Sequence, residues 1–218
     1  MDIKKISYHG HQFFTVKNNV GLEITFCSYG ASIYNIKYHN KTVTYHPGSF
    51  ESFLNNNKFY GKLLGRICGR IKDGVIKVDK KIYHLDKNEG NNTLHGGKKC
   101  LSFQDFEPFF SESEELINIV FKYTSVDLEC GFPGSVRFVI VYNIMKNKNK
   151  FSINFHAVPQ QATPLNLSTH IYWRLLDKDV LDHRLTINAN EITKFDDQLI
   201  VCGKMHASKI YNFREEKR

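Results

Sequence analysis

Residues that break or staple a chain are scarce in this sequence. Its 218 residues include 5 Pro, 14 Gly, 5 Cys and 1 Trp, which excludes a collagen-like fibre, a Pro-rich disordered chain and a disulfide mini-protein. Cys27, Cys68, Cys100, Cys130 and Cys202 are odd in number and hold no C-x-x-C pair. Neither a zinc framework nor a disulfide set is therefore expected, and free thiols fit a reducing cytosol. No apolar run approaches the roughly 20 residues of a membrane span; the longest, Phe138–Met145, contains Tyr142 and Asn143. The stretch from Met1 to Gly10 lacks the apolar region of a signal peptide. A cytoplasmic protein with no membrane partner is the expectation, so the sequons at Asn91 and Asn166 carry no weight.

Acidic charge is also in short supply, with 22 Asp and Glu against 30 Lys and Arg and a net charge of +8. Of the basic residues 23 are Lys, scattered along the chain, and 7 are Arg. Nucleic-acid readers concentrate Arg and Lys on one face, so no nucleic-acid partner is expected. Phosphate-cradling loops and the H-E-x-x-H zinc motif are missing. His95-Gly96-Gly97 has the look of a lipase oxyanion motif, yet the G-x-S-x-G elbow that such an enzyme needs does not occur. The glycines at 61, 65 and 69 have the spacing of a membrane-helix motif, which Lys62, Arg66 and Arg70 exclude.

What is present is a hydrophobic period of two. Leu22, Ile24 and Phe26 alternate with Glu23 and Thr25, and a turn at Tyr29–Gly30 leads into Ile33–Tyr38. Val75–Val78 and Lys81–Leu85 flank Asp79-Lys80 as a hairpin. Leu116–Tyr123, Val136–Met145, Phe151–Val158, Arg184–Ala189 and Gln198–Val201 read as further strands, rich in β-branched and aromatic residues. Turn signals stand at Pro133-Gly134, 147–149 and 188–190. One short helix is expected near Ser49–Asn55, with Phe50, Phe53 and Leu54 at helical spacing. Many strands and almost no helix predict an all-β sandwich or barrel. With no repeat, linker or low-complexity tract, residues 1–218 read as a single domain.

Four segments place polar residues inside strand-like sequence, as happens where a scaffold carries a site. They are Gly65–Ile71, Asn88–Gly97, Ser125–Gly134 and Thr163–Trp173. The second ends Leu94-His95-Gly96-Gly97, the third holds Asp127-Leu128-Glu129-Cys130-Gly131-Phe132-Pro133-Gly134, and the fourth holds Thr163-Pro164-Leu165-Asn166-Leu167-Ser168-Thr169-His170. Taken in order, from about residue 20 onward, they resemble the aldose 1-epimerases, the galactose mutarotase family. The resemblance implies a large antiparallel β-sandwich, a supersandwich with an open sugar cleft, and no metal or cofactor. It implies exchange of the α and β anomers of a free aldohexose such as galactose or glucose. His170 and His95 would be catalytic, with His170 as the acid toward the ring oxygen, and Arg70, His95 and Asn212 would hold sugar hydroxyls. The two imidazoles are expected to face one another across a hollow the size of one pyranose.

The chemistry accounts for the residue types. Ring opening removes the proton of the anomeric hydroxyl while another proton reaches the ring oxygen, and closure reverses both roles. Groups with pKa values near the working pH serve both directions, and histidine is such a group with little tuning. Arg supplies several donors for hydroxyls. Phe132, Tyr172 and Trp173 either cover an apolar sugar face or fill core. Arg66 reads as a structural partner, Asp127 and Glu129 as either a turn-forming pair or neighbours of the cleft, and the other eight histidines, His46 among them, as background.

Two departures from the family pattern matter. Asn212 stands where the family has an Asp, and the family's base, a Glu from its C-terminal part, has no counterpart in the sequence. Glu215 and Glu216 lie too close to Asn212 to replace it. A positioned base contributes roughly 10²–10⁴-fold in rate. The expectation is thus a shortened family member with little turnover, exposed sheet edges open to self-association, and, as the alternative, a silent carbohydrate-binding module or a non-functional fragment.

Overall fold

The computed structural model describes residues 3–45, 47–175 and 179–217; His46 lies outside the described residues. Strands β1 (Ile3–Tyr8), β2 (His11–Lys17), β3 (Leu22–Cys27), β4 (Ser32–Tyr38) and β5 (Lys41–Thr42) form one antiparallel sheet in sequential order. Helix α1 (Phe50–Leu54) follows, its first turn capped by Ser49, whose Oγ accepts from Ser52 N at 3.1 Å. The next residues hold β6 (Leu63–Leu64), β7 (Arg70–Ile71), the hairpin of β8 (Val75–Val78) and β9 (Lys81–His84), and β10 (Thr93–Leu94). A second antiparallel sheet then runs β11 (Glu107–Glu112), β12 (Leu116–Ser125), β13 (Val136–Met145) and β14 (Phe151–Pro159). Finally β15 (Ser168–Thr169) pairs with β6, and β16 (Glu191–Phe195) with β17 (Val201–His206).

Alternation decides which faces meet. On β13 Val136, Phe138, Ile140, Tyr142 and Ile144 are buried, and on β12 Ile117, Ile119 and Phe121 join them. They pack against Phe14, Val16, Ile24, Phe26, Ile33 and Ile36 of the first sheet in one hydrophobic cluster. The all-β sandwich is therefore real: two sheets closed over a dry, aromatic-rich core. Tyr142 crosses it, its ring 4.9 Å from Phe26 and its hydroxyl donating to the carbonyl of Ala31 at 2.8 Å. A buried hydroxyl needs such a partner. At the open edge, β14 leaves Phe155 and Val158 exposed. Among the described residues no helix is long and apolar enough to cross a membrane.

Two strand expectations are corrected. Arg184–Ala189 is irregular: Leu185 bridges Lys217, and Ile187 N donates to Phe213 O at 2.6 Å, but no ladder forms. Gln198–Val201 is mostly the β16–β17 turn, in which Asp196 Oδ1 accepts from Gln198 N and Ile200 N, both at 2.9 Å. Asp196 is the kind of residue that draws backbone donors into a turn, so the strand starts only at Val201.

Candidate active site

One segment assembles the site. Leu63 and Leu64 pair with Thr169 and Ser168, and a few residues later Arg70 and Ile71 pair with Leu94 and Thr93. Each short ladder ends beside a histidine. His170 N donates to Lys62 O and Gly61 N donates to His170 O, both at 2.9 Å; His95 N donates to Gly69 O at 2.9 Å. Because the same stretch of chain holds both ladders, His95 and His170 are brought side by side. Gly96 permits this: its φ is +99°, and a Cβ there would run into the carbonyl of Gly65.

The imidazole rings lie 5.5 Å apart, centroid to centroid, at an interplanar angle of 86°. That is direct edge-to-face contact. The expectation of a pyranose-sized hollow between them is corrected: the rings are neighbours on one wall, with no room for a sugar between. Tyr172, an aromatic of the fourth segment, stacks on His170 at 4.8 Å and 26°. Gly69 N lies 3.1 Å from His95 Nδ1. A backbone N–H can only donate, so Nδ1 accepts, and the neutral ring carries its proton on Nε2.

Arg70 sits on β7 and grips Glu89 with both Nε and Nη2, the latter 2.7 Å from Oε1. This forked pair lines an open cavity of about 400 Å³ together with Asn91, Asn92, Asp197 and Gln198; neither His95 nor His170 is among the lining residues. The volume suits a small ligand, and the lining suits a polar one. Burial, then the neighbouring His170 and Arg70, push the His95 pKa down to about 4, with Glu89 opposing. Burial also lowers His170, and the hydrogen bonds from Arg70 lower Glu89. His95 is thus a neutral hydrogen-bond donor at physiological pH. Among the described residues no three His, Cys, Asp or Glu side chains are arranged to hold a metal ion.

The remaining candidates separate cleanly. Asn212 accepts from Arg214 Nε at 2.9 Å, and its N donates to Lys209 O at 3.2 Å, both within the C-terminal segment. Arg66 is 2% exposed and donates to Ser125 Oγ, Val126 O and Pro133 O, a structural role. Asp127 accepts from Gly134 N, and Glu129 accepts from Tyr123 and Ser125, so both brace the 125–134 loop. Phe132 is core at 1% exposed, whereas Trp173 is half exposed beside Thr44. Glu89 and Phe59 were not singled out from the sequence. The Phe59 ring lies beside both imidazoles, its centroid 5.0 Å from that of His95 and 6.3 Å from that of His170. Glu89 lies in the Asn88–Gly97 segment and was available to a search for a carboxylate near Arg70, but nothing near Phe59 marks it.

Residues 12–218 match the protein family described as aldose 1-epimerase. Over 71% of the chain the sequence is 33% identical to the galactose mutarotase of Pongo abelii, covering 44% of that protein. Over 98% of the chain it is 30% identical to the aldose 1-epimerase of Streptococcus thermophilus, covering 62% of it. The fold superposes on the galactose 1-epimerase structure from Lactobacillus acidophilus with a TM-score of 0.91 at 23% identity, covering the whole chain and 66% of that structure. The chain spans about half the length of the mammalian relatives it matches.

Proposed function

The chain belongs to the aldose 1-epimerase family, and from that premise we propose that it binds a free aldohexose, galactose or glucose, against the wall formed by Arg70, His95 and His170. The supporting observation is the edge-to-face pair with His95 Nδ1 occupied by Gly69. That arrangement aims the one ring proton of His95, on Nε2, away from the backbone and toward a ligand oxygen. Arg70, held by Glu89, adds guanidinium donors at the cavity rim. The printed names of the relatives, galactose mutarotase and aldose 1-epimerase, point to a sugar ligand; of the three wall residues, Arg70 alone also lines the polar cavity.

In the reaction proposed, His170 in its imidazolium form, the form that burial disfavours, gives its proton to the ring oxygen as the C1–O5 bond breaks and is left neutral. A base takes the proton of the C1 hydroxyl, whose oxygen becomes the aldehyde oxygen. Rotation about C1–C2 and reclosure with the roles exchanged yields the other anomer, with no net oxidation. The base is the part this wall does not supply. Among the described residues no carboxylate hydrogen-bonds to either imidazole, Glu89 is committed to Arg70, and His95 at about 4 is too weak a base at neutral pH. A polypeptide of these 218 residues is therefore proposed to bind sugar and to turn it over slowly, by roughly 10²–10⁴-fold relative to a complete acid–base pair. The carbohydrate-binding module is the second reading, favoured by the same missing base. Free thiols at all five cysteines support a reducing, cytoplasmic setting, and the exposed β14 edge supports self-association.

Polarimetry on freshly dissolved α-galactose, paired with thermal melting with and without the sugar, tests the proposal. The expected outcome is a sugar-dependent rise in melting temperature with slow anomer exchange, and loss of that exchange in His170→Ala. A melting curve indifferent to galactose and glucose, together with no exchange above the buffer rate, would contradict it.

A further inference from the structure

Residues 58–62 do more than connect α1 to β6. Tyr172 Oη donates to Lys58 O at 3.0 Å, Gly61 N donates to His170 O, and Lys62 O accepts from His170 N. The turn is thus clasped to both ends of the His170–Tyr172 segment. Within it Phe59 adopts φ +58°, a left-handed conformation rare for an aromatic residue. Its carbonyl accepts from Lys62 N at 3.0 Å, closing the turn. Gly61 completes the bend at φ +62°, where a Cβ would strike the carbonyl of Ile33. Strain of this kind persists where the surroundings over-determine it, often next to a functional site.

The conformation has a visible consequence. The Phe59 ring, 9% exposed, meets the edge of His95 at 5.0 Å and 72° and lies nearly parallel to His170 at 6.3 Å and 26°. Phe103 backs it at 5.4 Å. One side chain therefore lies edge-to-face against His95 and alongside His170, and the two imidazoles lie edge-to-face with each other. We propose that Phe59 is a positioning residue for the histidine pair: its ring, driven inward by the left-handed backbone, fixes their edge-to-face orientation and keeps water out from behind them. Burial is the leading cause of the lowered pKa at both histidines, and Phe59 supplies part of that burial. The other groups facing the pair are Arg70 and Glu89 beside His95, and Tyr172 over His170.

This deepens the sugar-wall reading and rests on it for its functional meaning, but the test needs no sugar. Imidazole Cε1–H resonances are followed by NMR from pH 3.5 to 8.5 in the wild type, Phe59→Ala and Phe59→Leu, each checked for a cooperative melt. In Phe59→Ala the His95 midpoint is expected to climb by at least about one pH unit toward the ordinary histidine range, with Phe59→Leu restoring most of the difference by refilling the space. Folded Phe59→Ala with unchanged midpoints for both histidines would overturn the proposal, as would a Phe59→Leu protein indistinguishable from Phe59→Ala. If Phe59→Ala unfolds, Phe59→Leu against Phe59→Met decides, since a packing role moves the midpoints with side-chain shape and an uninvolved residue leaves them fixed. Should the midpoints move while galactose fails to bind the wild type, the sugar-wall reading falls and the positioning role stands.

Discussion

Arg66→Ala is expected to destabilise the protein by about 3–5 kcal/mol, the typical consequence of removing one partner from a buried charged network. Arg66 is 2% exposed, and its guanidinium serves Ser125 Oγ, the carbonyls of Val126 and Pro133, and at 3.5 Å Thr163 Oγ1. Alanine would leave those carbonyls without donors in a region water cannot easily enter, at about 1–3 kcal/mol for each unsatisfied group. It would also leave Glu129, which accepts from Tyr123 and Ser125, without the nearby positive charge. Since Arg66 joins the segment carrying the β6 and β7 ladders to the 125–134 loop, the loss spreads to the site. Thermal melting should show a drop of roughly 6–20 °C for a chain of this size. Arg66→Lys should recover only part of it, because an ammonium cannot serve donors in a fork. A melting temperature within about 2 °C of wild type in Arg66→Ala would rule this network out as a stabilising element.

Lys62→Met should do the opposite and stabilise the fold by about 2–3 kcal/mol at pH 7, because it replaces a buried unpaired charge with an apolar chain of similar length. Lys62 is 0% exposed, and its Nζ has no hydrogen-bond partner. Three rings surround it instead, Tyr29 at 4.3 Å, Phe103 at 4.6 Å and Phe53 at 5.7 Å. Cation–π attraction returns about 1–2 kcal/mol when desolvated, less than the dehydration it offsets. Burial accordingly pushes Lys62 down to about 8 from an ordinary 10.5. Native protein then holds fewer protons than unfolded chain between about pH 8 and 10.5, so wild-type stability rises across that window and the Lys62 penalty is full below it. The advantage of Lys62→Met should be largest at pH 7 and shrink as pH climbs past 8. Cys27, held up at about 12, stays a thiol throughout that range and does not mask the effect. Chemical denaturation at pH 7 and at pH 9.5 gives both values. An equal or lower stability for Lys62→Met at pH 7 would mean that the aromatic cage fully compensates the buried charge.

Lys62 also marks where sequence reasoning stops. Between Gly61 and Leu63 a lysine reads as a surface residue, and only the meeting of Tyr29, Phe53 and Phe103 from three separate elements makes it a buried one. The sandwich itself was legible because β3, β4, β12 and β13 carry clean alternation with one buried face each. Strand β1 escaped notice because its interior residues are exposed, and β2 because adjacent Phe13 and Phe14 are both buried, one against α1 and one in the sandwich. Edge strand β11 carries Glu107, Pro108 and Glu112, which argue against a strand when read alone. His95, His170 and Arg70 were found through short motifs, but how they meet depends on a segment that pairs with two distant strands in turn. Periodicity carries no information about that, which is why the direct contact of His95 and His170 was unforeseen.

The central claim is that His95 and His170 form one sugar-facing wall. It is tested most directly by long-range ¹H–¹⁵N correlation of the imidazole nitrogens at pH 7, recorded with and without galactose. His95 should appear as the neutral Nε2–H tautomer, and the Nε2 signals of both His95 and His170 should shift on adding galactose and stay put on adding an acyclic polyol at the same concentration. Saturable shifts confined to other residues, or a His95 ring protonated on Nδ1, would contradict the claim.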